Sequence, residues 1–74
     1  MAKKQEAREK VYKRIDLVGT SSESFEAAIA NAVKRAGETV TDLRWFEVKE
    51  MRGSIQDQAV SQYQVVVSVA FEVR

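Results

Sequence analysis

The chain has 74 residues, no cysteine, no histidine and a formal net charge of +1. Those absences exclude disulfide support, a zinc site of the usual His/Cys kind and any Ser-His or Cys-His nucleophilic pair. The near balance of Lys and Arg against Asp and Glu gives no bulk attraction to nucleic acid or to an anionic membrane.

No apolar run nears the ~20 residues of a membrane helix. The opening stretch MAKKQEAREK lacks the apolar core of a signal peptide. A soluble, cytoplasmic protein is expected. A chain this short forms one domain and buries only about 60% of the surface that its unfolded form exposes. With disulfides and zinc excluded, oligomerisation is the expected support.

Residues 1–9 are polar and mostly charged, and read as a charged N-terminal extension. Residues 10–18, KVYKRIDLV, alternate as a strand should. Val11, Ile15 and Leu17 share one parity, and Tyr12, Arg14 and Asp16 the other. Gly19 is expected to end this strand. A helix follows, with Ser21 or Ser22 as its N-cap. Glu23 and Glu26 suit the positive end of its dipole, and Lys34 and Arg35 the negative end. Phe25, Ala28, Ile29, Ala32, Val33 and Ala36 recur at spacings of three and four and make one apolar stripe. Gly37 weakens the last turn, and a break is expected over 39–42.

Residues 43–52 read as a second strand. Phe46 and Val48 are expected to hold its buried face, with Trp45, Glu47 and Lys49 on the other. GSIQDQAV is expected to make a loop of about six residues. Residues 60–73 form a long third strand. Its core face carries Tyr63, Val65, Val67, Val69, Phe71 and Val73, and its other face Gln62, Gln64, Val66, Ser68, Ala70 and Glu72. The order is β-α-β-β in an α+β domain. The short connection makes strands two and three antiparallel, and one helix covers one face of a three-stranded sheet.

The unusual feature is Trp45, the only tryptophan, on the polar face. Pairing Arg52 near Ala59 would set Trp45 opposite Val66. Gln64 would then face Glu47, within reach of one ligand, with bulges expected near Gly53. Indole stacks on planar heterocycles, and a carboxamide matches a polar ring edge with both donors and an acceptor. An outward Trp equally serves as an interface anchor, and a ligand between subunits would satisfy both readings. Arg52, in the RGS of 52–54, adds a positive charge at a strand end. No glycine-rich phosphate loop and no carboxylates in an apolar setting are present, so no catalytic residue and no metal ligand is assigned. A non-enzyme is expected, any chemistry being that of a bound cofactor.

The stretches VYKRIDLVGTS, AAIANAVKRA, LRWFEVKEMRGSI and YQVVVSVAFEV, in this order and spacing, resemble the dodecins over residues 11–73. The resemblance implies that residues 10–74 form one dodecin-like domain, its sheet wrapped around its helix. It implies a hollow homododecamer that binds flavin (FMN, riboflavin or lumichrome) between subunits, for storage and quenching rather than turnover. Trp45 stands where the family tryptophan stacks on the isoalloxazine ring, and Gln64 where a glutamine bonds its polar edge. Arg52 matches a basic position near the ligand in some bacterial members. The chain departs from many members at Ser54, Gln58 and Ala70, and in its longer N-terminus. Glu72 stands where some members place a basic residue for coenzyme A, which argues against that ligand. Two other classes compete: a ligand-free structural oligomer or other planar-ligand module, and a nucleic-acid sheet using Trp45 and Tyr63 as base platforms.

Overall fold

The computed structural model describes residues 9–74. The proposed extension therefore lies outside the described residues, Glu9 excepted. Strand β1 (Val11–Ser21), helix α1 (Phe25–Thr39), strand β2 (Leu43–Gln56) and strand β3 (Ala59–Val73) follow in that order. The sheet is antiparallel, with β3 in the middle between β1 and β2. This is the β-α-β-β architecture that the alternation predicts.

The core is thin. Ala28 and Ala32 of α1 meet Val65, Val67 and Val69 of β3, all nearly or fully buried, with Ile15, Leu17, Phe25, Ile29, Leu43 and Val48 packed around them. Each fully buried valine side chain contributes about 1.5–3 kcal/mol. The alanines let the helix axis lie close to the sheet.

Gly19 does not end β1, contrary to expectation; it lies buried within the strand. It pairs with Val65 on the helix side of the sheet. A Cβ there would sit on the Ala28 carbonyl oxygen and 2.8 Å from Ala32 Cβ. A missing side chain, and not a turn, is what this glycine supplies.

The helix cap also differs. Ser24, with extended backbone, is the N-cap, and its Oγ accepts from Ala27 N at 3.0 Å. Ser21 serves the turn before it, its Oγ accepting from Glu23 N at 2.9 Å. The helix runs through Gly37 to Thr39, so Lys34 and Arg35 fall short of its last turn. Residues 40–42 break the chain as expected, with Asp42 in the left-handed region at φ 63°.

The largest correction concerns the hairpin. The expected loop of about six residues is a turn of two, Asp57 and Gln58, with φ of 54° and 65°. Both residues are left-handed, the conformation whose twist matches that of the flanking strands. GSIQ and Ala59 therefore belong to strands. Trp45 lies opposite Ala70 instead of Val66, and Gln64 opposite Arg52 instead of Glu47. Register shifts at Leu43/Trp45 and Val48/Glu50 keep Leu43, Phe46, Val48 and Met51 opposite Phe71, Val69, Val67 and Val65; a third, at Ser54/Ile55, is the bulge expected near Gly53. Helix α1 lies mainly over β1 and β3, which leaves Phe46 47% exposed instead of buried.

Candidate functional site

The face of the sheet away from α1 carries the candidate residues. Tyr12, Arg14, Asp16, Val18 and Thr20 of β1 pair with Glu72, Ala70, Ser68, Val66 and Gln64 of β3. Trp45, Glu47, Glu50 and Arg52 of β2 pair with Ala70, Ser68, Val66 and Gln64 from the other side. Paired residues share a face, so one polar surface with Trp45 near one end and Arg52 with Gln64 nearer the other is built from all three strands.

Trp45 points away from the helix, as its parity predicts, and is 47% exposed. It stands opposite Ala70, which is fully buried. A methyl group at that place leaves room for the indole above the middle strand. The ring of Tyr12 meets it edgewise, with centroids 4.9 Å apart and planes at 61°. In the same row, Arg14 donates to Ser68 Oγ and to Glu47 Oε1, both at 3.0 Å. The first of these bonds satisfies the hydroxyl of Ser68, a buried polar residue beneath this face.

Beside Trp45, Arg44 donates to Glu72 Oε1 at 2.8 Å. This bond holds the Glu72 carboxyl below the usual carboxylate range, with nearby Lys10 and Arg74 acting the same way against its desolvation. The same bond raises the Arg44 guanidinium. Asp42 joins them through Arg74 Nε at 3.1 Å, and its carbonyl accepts from Glu72 N.

Arg52 and Gln64, expected to share the site, do touch. Arg52 Nε donates to Gln64 Oε1 at 2.9 Å, and Gln64 Nε2 donates to Gln62 Oε1 at 3.0 Å. Trp45 does not join them. Its partner Ala70 is six positions from Gln64 on β3, which is about 20 Å of strand. The expectation that Trp45 and Gln64 reach one ligand within one subunit is thereby overturned. Tyr63 turns to the helix side and meets Phe25 edgewise at 5.0 Å. It cannot form a shared platform with Trp45, and the nucleic-acid reading loses its second aromatic.

Sequence reasoning missed Tyr12 and Arg14 as neighbours of Trp45. Their parity was legible, but their approach depends on β3 lying between β1 and β2, a strand order that no spacing states.

Among the described residues, no helix is long and apolar enough to cross a membrane, and no three acidic side chains stand close enough to hold a metal ion.

The dodecin family profile matches residues 11–74. A dodecin from Thermus thermophilus is 56% identical over 62 residues, covering 84% of this chain and 90% of that protein. A protein from Mycobacterium tuberculosis named calcium dodecin is 39% identical over 64 residues, covering 86% of this chain and 90% of that one. Among solved structures, a dodecin from Streptomyces davaonensis superposes with a TM-score of 0.87 at 39% identity, covering 90% of this chain and 98% of that one. A crystal structure of a Thermus thermophilus protein does so at 0.85 and 53% identity, covering 89% and 97%. Sequence and fold agree over nearly the same span, and the chain belongs to the dodecin family.

Proposed function

We propose that the protein is a cytoplasmic flavin-binding and sequestration protein, not an enzyme, and that it works as a homododecamer with its ligand between subunits. One observation carries the reading: the only tryptophan is about half exposed on the helix-free face, opposite a buried alanine. An indole in that setting suits a planar tricycle such as riboflavin, FMN or lumichrome. Gln64 and Arg52 supply polar groups for the ring edge. Since they lie about 20 Å from Trp45 along the same strand, the Trp45 of one subunit and the Gln64 of another would serve one ligand.

The shape of the subunit supports assembly. Its radius of gyration is 16.6 Å, whereas a compact chain of this length has about 11 Å. The β2–β3 hairpin runs past the helix, and its Met51, Ile55 and Val60 are more than half exposed. Ile29, Val33 and Phe46 line an apolar wedge between α1 and β2. These surfaces fit contacts with further copies of the chain.

Fluorescence titration with riboflavin tests the site. Loss of a stacking aromatic costs roughly 1–3 kcal/mol, so Trp45→Ala should weaken binding by about one to two orders of magnitude. It should also abolish most quenching of the flavin, because indole is the electron donor to the excited ring. Gln64→Ala should cost only about 0.5–1.5 kcal/mol, the value of a neutral hydrogen bond, and should leave quenching per bound flavin intact. Unchanged riboflavin affinity in an assembled Trp45→Ala protein would place any flavin site elsewhere.

A further inference from the structure

We propose that Tyr12 is a positioning residue for Trp45: its ring fixes the indole in one pose and so prepares the stacking face. Trp45 and Tyr12 come from the two outer strands and meet across the middle one. Tyr12 pairs with Glu72 and Trp45 with Ala70, so the rings are diagonal neighbours above β3. The methyl group of Ala70 is small enough to let them touch. Neither ring is buried by the fold, Tyr12 being 39% and Trp45 47% exposed.

An exposed tryptophan without a neighbour moves among its rotamers on the picosecond to nanosecond scale. Tyr12 closes the space toward β1 and removes the poses that lean that way. The contact is steep, at 61°. An edge contact of this kind covers at most one broad face of the indole and leaves another for parallel stacking. Arg14, in the same row, is already held by Ser68 and Glu47, so Tyr12 is the neighbour on the β1 side that meets the indole ring to ring. Ordering the indole before a ligand arrives lowers the conformational cost of binding. The role lies in the ring and not in the hydroxyl, so phenylalanine should perform it.

The affinity part of this inference rests on the flavin reading above; the ordering of Trp45 does not. Because Trp45 is the only tryptophan, indole fluorescence reports on it alone. The experiment compares the full chain with Tyr12→Phe, Tyr12→Val and Tyr12→Leu. Time-resolved anisotropy of Trp45 is measured without ligand, and riboflavin affinity by titration. In Tyr12→Phe, both should match the unmodified protein. In Tyr12→Val and Tyr12→Leu, a fast depolarising component should appear, and riboflavin affinity should fall about three- to tenfold, the scale of an aromatic pair.

Unchanged anisotropy in either folded truncation overturns the proposal. So does a fast component in Tyr12→Phe, which decides the matter even where the truncations fail to fold. If the unmodified protein binds no riboflavin, the flavin reading fails by itself, and the anisotropy still judges Tyr12.

Discussion

At the scale of single residues, two positions show how local chemistry is set by what lies across the sheet. Trp45 is outward because its neighbour Phe46 belongs to the helix side, and alternation leaves no other choice. That was legible from the sequence. Gly19 was not: in a linear reading it looks like a strand terminator, yet it is the point where α1 crosses β1. A side chain there would strike the backbone of Ala28, which has no freedom to move within its helix. Gly19→Ala should therefore destabilise the fold by about 3 kcal/mol, the upper end of the usual overpacking cost. A thermal unfolding midpoint equal to that of the unmodified protein would show that helix and strand can separate there without penalty.

At the scale of elements, the connection from α1 into β2 is pinned to the end of β3. Asp42, Arg44, Glu72 and Arg74 make one network of ion pairs at 2.8 to 3.9 Å, with Asp42 in the left-handed turn that starts β2. Trp45 follows Arg44 directly, so the network also anchors the strand that presents the indole. The folded-state carboxyl of Glu72 titrates below its usual value. Its contribution is therefore present above the unfolded value of about 4.3 and is lost as pH falls through the lowered folded value. Arg44 is shifted upward, so its charge persists throughout this range. Glu72→Gln should lower the unfolding temperature at neutral pH, and the difference from the unmodified protein should shrink to nothing in strong acid. Parallel curves of unfolding temperature against pH would show that Glu72 does not carry this acid dependence.

At the scale of the whole molecule, a subunit of 66 × 20 × 14 Å with so thin a core is poorly suited to stand alone. Valines and alanines supply the buried centre, while Met51, Ile55 and Val60 remain more than half exposed and Phe46 nearly so. Burial of those side chains against other copies would add the apolar contact that one chain lacks. The protein should therefore associate with further copies of itself, and on the function proposed above it should run as a dodecamer. Light scattering that reports a monomer or dimer at micromolar concentration would contradict this, and a monomer would also leave Trp45 and Gln64 with no means of meeting over one ligand.

The alternation of apolar residues determined by itself that the chain makes three strands and one helix, that Val65, Val67 and Val69 face inward, and that Trp45 and Gln64 face outward. Parity is a local property of extended backbone, fixed residue by residue between bulges, and the shift at Val48/Glu50 is what brings Glu50 and Arg52 onto the face of Trp45 and Glu47. The resemblance to the dodecins was carried by the same local stretches. Register, strand order and reach were decided only in three dimensions. Asp57 and Gln58 form a two-residue turn although neither is glycine, because the paired strands on both sides hold them in the left-handed region. That turn slid Trp45 four positions along β3, from Val66 to Ala70, and carried it away from Gln64. Placing β3 between its neighbours then brought Tyr12 to the indole. Both outcomes arise from hydrogen bonds and contacts between residues far apart in the chain, and no count along the chain contains them.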